Sequence, residues 1–396
     1  MTMPEHPSIR PTILFAGGGT AGHVMPGLAV AEQLVRLHPA CRIVFVGSDR
    51  TIESRLVRRA GFDHRSIPAA PWPRHVRDIA AFLRENFSGY LAARRALDEL
   101  RPSVVVGLGG YHSAPLGHAA ARRGVPLVLL EQNALPGRAT RWLAPRADAV
   151  LLAMDVACAA LPHPCRAIVT GNPVREAFFR NAMPQRSPAP TRDEPGPRCD
   201  EPPSPLLIVL GGTHGAVWLN EQAPWACHRL GSRLAGWRIV HQSGPAQRDY
   251  TAAIYTGLGL RAEVVEFADD MPSLLADARL AVCRAGGTTL AELAAAGVPA
   301  ILVPLPGATD RHQHCNAAVM ADAGAALVVE QPALGQQTPR NLTEALRSLL
   351  DAPKRLDAMR RATARLARPR AARDAAEIVL RLCADQSALV PRRAAA

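Results

Sequence analysis

The first apolar run of the chain, residues 12–16, ends in Gly17-Gly18-Gly19-Thr20-Ala21-Gly22-His23, after which Leu28, Ala29, Ala31, Leu34 and Val35 recur at helical spacing. That pattern predicts a strand, a glycine loop and a helix. Further apolar runs at 42–46, 104–107 and 125–130 read as strands, with a helix at 52–59. Alternation of this kind predicts a parallel sheet covered by helices. The opening device returns at 206–210, followed by Gly211-Gly212-Thr213-His214-Gly215-Ala216 and a helical stretch from Trp218. Strands at 238–241, 263–267, 280–283 and 300–303 and a helix at 289–296 complete a second set. The stretch from 341 to 383 reads as helical and polar.

The expected fold class is therefore α/β, with two Rossmann-like, doubly wound domains facing across a cleft. Between them, prolines at 184, 188, 190, 195, 197, 202, 203 and 205 exclude regular structure and mark a linker. The expected division is 1–183, linker 184–205, 206–370, and a C-terminal helix and tail at 371–396 that returns to the first domain.

Composition narrows the function. The 396 residues carry 46 Lys+Arg against 34 Asp+Glu, a net charge of +12, and 45 of the 46 cations are arginine. Arginine favours phosphate and carboxylate partners. Aromatic residues are only 4% and the arginines are scattered, so a nucleic-acid partner is not expected. The eight cysteines form no CxxC pair, which points away from a zinc site or a disulfide framework and towards reduced cytosolic thiols. Neither a signal peptide nor a spanning helix is expected.

The chemistry-bearing residues gather at the loops. Glycine turns that open helices aim backbone N–H groups and the helix dipole at an anion. Neither turn fits a dinucleotide fingerprint, so a nicotinamide dehydrogenase is disfavoured. His23 follows the first turn, where it serves as a general base or merely caps the helix. The paired carboxylates Asp269 and Asp270 suit metal ligation or helix capping, and Asp270, with Pro272 after it, reads mainly as a cap. The run Arg284 to Glu292 is a third glycine turn; Glu292, one turn inside its helix, suits a vicinal diol, against the alternative of a solvated carboxylate. Asp310 to Ala317 packs polar side chains after a buried strand, where open α/β folds bind ligands. His312 and His314 stand two apart without a third ligand, so no metal site is expected.

Taken together these stretches resemble the MurG family of peptidoglycan N-acetylglucosaminyltransferases, over roughly residues 13–331. The matching motifs are Gly18 to His23 with Pro26, Gly109-Gly110-Tyr111, Glu131-Gln132-Asn133, Gly171 to Arg175, His241 to Gly244, Glu266 to Met271, Arg284 to Gly297, and Asp310 to Ala317. The resemblance implies the GT-B fold, with donor UDP-GlcNAc on the C-terminal domain and the undecaprenyl-diphosphate-linked MurNAc-pentapeptide acceptor on the N-terminal one. It implies metal-independent, inverting transfer to a C4 hydroxyl, no cofactor, a peripheral place on the cytoplasmic face of the cell membrane, and partners among cell-wall synthesis and division proteins.

Matched residue by residue, Thr20, Ala21, Gly22 and His23 would lie at the acceptor diphosphate and reaction centre, with Tyr111 among the substrate-binding residues and Asn133 near the transferred sugar. Arg175 would lie on the donor side of the cleft. Thr213 would face the donor diphosphate, Ala268 would read uracil through its main chain, Gly287, Thr288 and Thr289 would line the phosphates, Glu292 would hold the ribose, and His312 and Gln313 would hold GlcNAc hydroxyls. Three departures stand out: Ala21 replaces a glycine, Leu130 a histidine, and Thr213-His214 a Ser-Gln pair. Ala21 adds a methyl group that would shift the first loop if a positive φ is needed there.

Residues 69–77 replace a more basic loop, while Ile79, Ala80, Phe82, Leu83 and Phe87 beside Arg77 and Arg84 offer apolar area for a membrane surface or for packing on their own domain. Three rival readings remain: a UDP-GlcNAc 2-epimerase, another lipid-directed glycosyltransferase of the same fold, and a non-catalytic sugar-nucleotide binding protein.

Overall fold

A computed structural model of the chain describes residues 10–49, 51–73, 75–182, 204–332 and 340–393. The chain divides into two compact units, one of residues 1–175 with 370–396 and the other of residues 176–369. The Pro-rich stretch 184–205 falls almost wholly outside the described residues.

The first unit is built on strands β1 (Thr12–Ala16), β2 (Arg42–Gly47), β3 (Asp63–Ser66), β4 (Val104–Gly107), β5 (Leu127–Glu131), β6 (Ala149–Leu152) and β7 (Ala167–Val169). All pair in parallel, in the order β3-β2-β1-β4-β5-β6-β7. Helices α1 (Ala21–Leu37), α2 (Thr51–Arg59), α3 (Ile79–Leu100), α4 (Ser113–Arg122) and α5 (Arg138–Leu143) connect them. The central strands β1, β4, β5 and β6 are buried almost throughout and mostly apolar because both faces are covered. Ile13, Phe15, Phe45 and Leu130 face one core and Leu14, Val44, Val105 and Leu129 the other.

The second unit repeats the plan with β8 (Leu206–Leu210), β9 (Arg238–Gln242), β10 (Glu263–Val265), β11 (Ala278–Cys283), β12 (Ala300–Leu302) and β13 (Ala326–Val328), all parallel in the order β10-β9-β8-β11-β12-β13. Its helices are α6 (Ala177–Ala182), α7 (Val217–Leu230), α8 (Arg248–Gly257), α9 (Met271–Asp277), α10 (Gly287–Ala296), α11 (His312–Asp322), α12 (Arg340–Leu350) and α13 (Pro353–Arg365). The last helix, α14 (Ala371–Arg393), packs on α1 and contributes Ala375, Ala376, Val379 and Cys383 to the first unit's core.

Two expectations are revised, and four strands are added to those expected. Residues 176–182 belong to the second unit, where α6 packs on α9 and α10. The stretch 341–383 is amphipathic rather than polar throughout: Leu342, Leu346 and Leu349 enter the second core at helical spacing, as do Leu356 and Met359. Strands β3, β6, β7 and β13 are not among the expected strands, although β6 is an unbroken apolar run; β3, with the sequence Asp-His-Arg-Ser, pairs through its backbone at the sheet edge.

Candidate functional site

In both sheets the direction of strand order reverses beside the first strand, between β1 and β4 and between β8 and β11. Open α/β sheets bind ligands at the carboxyl ends of strands at such switch points. The expected residues follow the carboxyl ends of strands within each unit; those beside the switch points are Thr20 to His23 and Tyr111 in the first unit and Thr213 and Gly287 to Thr289 in the second.

In the first unit Thr20 ends the glycine loop in extended conformation and α1 starts at Ala21. Ala21 is helical and buried, not one of the positive-φ residues, so its methyl group, where the resemblance implied a glycine, is accommodated without backbone strain. The loop's left-handed turns fall instead on Gly17, Gly18 and Gly19. Thr20 Oγ1 and His23 Nδ1 lie 3.1 Å apart in a hydrogen bond. The half-buried His23 ring packs on the turn after β4. A Cβ at Gly109 would sit 3.2 Å from His23 Cδ2, and one at Gly110 would sit 3.5 Å from Cε1. Both glycines have positive φ, so that turn is shaped to receive the imidazole. Gly22 is exposed beside it, and Tyr111 follows the same turn, its ring against His112.

Asn133 follows β5. Its backbone N–H and its Nδ2 each donate to Glu131 Oε1 at 3.1 Å, while Gly137 N–H donates to Oε2 at 2.9 Å. Buried Gln132 donates to Leu108 O at 3.0 Å and lies against Gly109. The Glu-Gln-Asn motif therefore fixes the side chain of Asn133 and backs the turn under His23. Leu130, the position at which the resemblance implied a histidine, is a buried core residue of β5. Arg175 is the last residue of the first unit before the chain passes into the second.

In the second unit half-buried Thr213 occupies the loop after β8 and His214 is exposed. Gln242, at the end of β9, bridges two of the expected donor segments. Its Nε2 donates to Gly212 O and its Oε1 accepts from Ala268 N–H, both at 3.1 Å. Gln242 falls within the His241 to Gly244 motif, whose spacing alone assigns it no role. Behind it, fully buried His241 contacts Tyr255 Oη through Nδ1 and Asn220 Oδ1 through Nε2, each at 3.1 Å. Burial pushes its pKa down to about 3, so it is neutral.

Asp270 caps α9, as expected, its Oδ1 accepting from Ser273 N–H. Gly287, Thr288 and Thr289 form the first turn of α10, and Glu292 lies half-buried one turn on. Arg284, which opens the third glycine turn, donates to Val303 O, Pro304 O and Gln331 Oε1 and, among the described residues, pairs with no carboxylate. Burial lowers its pKa to about 10, so it remains a cation beside this turn. After β12, Asp310 and Arg311 both take left-handed φ, and Gln313 Oε1 accepts from Leu305 N–H at 2.9 Å. His312 Nδ1 meets Thr309 O at 2.8 Å. His314 turns instead to Glu330, 3.1 Å away. Asn316, fully buried, donates to Ala285 O and ties α11 to the turn before α10. Among the described residues no group of three or more His, Cys, Asp or Glu side chains could hold a metal ion.

The first unit also carries an apolar pocket of about 730 Å³, whose walls include Trp72, Phe82, Tyr90, Tyr111, His118 and Trp142. Beside it Val76, Ile79, Leu83, Phe87 and Leu91 are exposed, the last four spaced four residues apart along one face of α3. No helix among the described residues is long and apolar enough to cross a membrane.

Two family models match: the glycosyltransferase family 28 N-terminal domain over residues 13–152 and the C-terminal domain over residues 206–376. The UDP-N-acetylglucosamine--N-acetylmuramyl-(pentapeptide) pyrophosphoryl-undecaprenol N-acetylglucosamine transferase of Anaeromyxobacter dehalogenans is 36% identical over 381 residues, spanning 93% of this chain and 92% of the relative. The crystal structure of Acinetobacter baumannii MurG covers 94% of this chain and 99% of its own, with 28% identity and a TM-score of 0.68. A UDP-GlcNAc 2-epimerase from Neisseria meningitidis superposes with a TM-score of 0.65, covering 93% of this chain and 100% of its own, but at 13% identity it shares the fold alone. The chain belongs to glycosyltransferase family 28, within the MurG family of N-acetylglucosaminyltransferases.

Proposed function

We infer that the chain transfers GlcNAc from UDP-GlcNAc to the C4 hydroxyl of MurNAc in the undecaprenyl-diphosphate-linked pentapeptide, with inversion to a β1,4 bond. The observation that carries this reading is the placement of His23: at the switch point of the first sheet, its ring seated on the Gly109-Gly110 turn and its Nδ1 held by Thr20. The identity of the substrates rests on the likeness to the transferases described above.

In this mechanism the muramoyl C4 oxygen attacks the anomeric carbon, the bond from that carbon to the β-phosphate oxygen breaks, and UDP leaves with the electron pair. The hydroxyl proton passes to His23 Nε2. That role requires Nδ1 to carry the other proton and donate to Thr20 Oγ1, so Thr20 sets the tautomer. Charge on the leaving diphosphate is met by the N-terminal N–H groups of α10 with Thr288 and Thr289, by Thr213, and by the cationic Arg284 nearby. Glu292 takes the ribose hydroxyls, Ala268 the uracil through its main chain, and His312 and Gln313 the GlcNAc hydroxyls. Asn133 and Tyr111 serve the acceptor side, and Arg175 is an additional cation for the reacting diphosphates.

A peripheral place at the cytoplasmic face of the membrane fits the same unit. The exposed stripe of α3, flanked by Arg77 and Arg84, and the aromatic pocket beside Tyr111 offer apolar area next to the residues that serve a lipid-linked acceptor.

The test is transfer of labelled GlcNAc from UDP-GlcNAc to the lipid-diphosphate muramoyl-pentapeptide in the presence of EDTA. Wild type is expected to form product, His23→Ala to lose kcat, and Glu292→Ala chiefly to raise the donor KM. Binding of UDP-GlcNAc without any transfer would overturn the assignment.

A further inference from the structure

Glu53, in α2, lies outside every motif that marks the site, yet its carboxylate is the centre of the first glycine loop. The side chain is fully buried. Gly19 N–H donates to Oε2 at 2.6 Å, Ser48 N–H donates to it at 3.2 Å, the Ser48 hydroxyl donates to it as well, and His64 Nε2 stands 3.4 Å from Oε1. Burial by itself would raise the carboxyl pKa; the four partners outweigh it and hold the group below the usual carboxylate range, so it stays ionised. The loop is also cut to fit this anion. A Cβ at Gly18 would fall 2.2 Å from Glu53 Oε1, and one at Gly47 would fall 1.8 Å from it.

A glycine turn that opens a helix is a general anion cradle. Here the anion in the cradle is the protein's own. We propose that Glu53 is a positioning residue for the transfer reaction: it occupies the anion cradle of the first glycine loop, closes the Gly19 N–H to the acceptor diphosphate, and fixes the loop that delivers the catalytic base. The path is short. Gly19 leads directly to Thr20, whose carbonyl accepts from His23 N–H at 3.1 Å and whose hydroxyl contacts His23 Nδ1. An acceptor phosphate on the Gly19 N–H would compete with a buried carboxylate that already holds it, so the diphosphate is bound by groups further along the chain. This inference rests on the assignment of the first unit as the acceptor side.

The experiment compares wild type, Glu53→Gln and Ser48→Ala in the transfer assay with both substrates varied, together with calorimetric binding of UDP-GlcNAc and thermal melting. Glu53→Gln keeps the shape and one acceptor oxygen but removes the charge and sets an amide N–H₂ against donors. Its kcat is expected to fall about tenfold or more, because small displacements of a base are costly. Its acceptor KM should be unchanged or raised, its donor affinity unchanged, and its melting still cooperative. Ser48→Ala, which removes one donor and leaves the charge, should lower kcat in the same direction by about threefold. A folded Glu53→Gln with wild-type kcat overturns the proposal. So does a lowered acceptor KM, which would mean that the freed amide takes the diphosphate. A kcat loss that merely follows loss of cooperative melting would assign Glu53 to the fold alone; if Glu53→Gln does not fold, unchanged kcat in Ser48→Ala overturns the proposal. Inactivity of the wild type would instead overturn the transferase assignment, and this inference with it.

Discussion

Gln242 offers the most direct test of how the donor half is assembled. Its amide joins Gly212 O, in the loop that carries Thr213, to Ala268 N–H, in the segment assigned to uracil. Only 4% of the residue is exposed, so water cannot readily replace either bond. Each neutral hydrogen bond contributes about 0.5–1.5 kcal/mol net, so the pair is worth about 1–3 kcal/mol. If all of that is expressed in binding, the dissociation constant for UDP rises between about 5-fold and about 150-fold in Gln242→Leu, at 1.4 kcal/mol per factor of ten. Gln242→Glu separates the two halves. It retains an oxygen for Ala268 N–H but loses the donor to Gly212 O and sets a carboxylate against that carbonyl. Titration calorimetry with UDP and with uridine reads the difference. Gln242→Leu should weaken both ligands, whereas Gln242→Glu should weaken UDP and leave uridine near wild type. Wild-type UDP affinity in both variants, with normal melting, would refute the bridging role.

Three further outcomes follow from the geometry. His241 is neutral in the fold with a pKa of about 3 but takes up a proton near its ordinary value of ~6.5 when unfolded, so the unfolded state binds more protons between those values. Stability should therefore fall as pH drops through that window, by up to about 1.4 kcal/mol per pH unit from this residue, and urea titrations of wild type and His241→Gln at several pH values would show whether the slope disappears. Gly109→Ala places a methyl group 3.2 Å from His23 Cδ2 on a backbone with φ of +87°, and its kcat in the transfer assay should drop about tenfold with donor KM unchanged. Leu83→Asp with Phe87→Asp removes exposed apolar area from α3, so co-sedimentation with anionic vesicles should be lost while melting temperature holds; retained vesicle binding would place the membrane surface elsewhere.

What the sequence could reveal divides along a physical line. The glycine openings, the strands they follow and the residues just beyond them were legible, because a buried parallel strand needs an unbroken apolar run and a turn into a helix needs glycine. His23, Thr213, Glu292 and Gln313 sit where that grammar puts them. Strand β3 was not legible, since an edge strand pairs by backbone and Asp63–Ser66 need not be apolar. The supports of the site were not legible either. Glu53 meets Gly19 across 34 residues of chain, and Gln242 meets Ala268 across 26 and Gly212 across 30. Such residues are defined by a partner rather than by spacing.

The departures from the family pattern follow the same division. At Ala21 the expectation of a strained loop assumed that the glycine it replaces supplies a positive φ, but the helix has already begun there and the left-handed angles lie on Gly17 to Gly19. At position 130 the leucine that stands where the resemblance implied a histidine lies within β5 and enters the core, so its effect is one of packing and not of chemistry. Thr213 keeps the hydroxyl, and His214 projects to solvent. A substitution inside a conserved-looking motif thus bears on catalysis only where its backbone angle or its hydrogen-bond partner is shared with a residue that meets substrate. By that criterion Gly18, which has both a positive φ and the Glu53 carboxylate against its α-carbon, is a more sensitive position than Ala21, although both stand in the same loop.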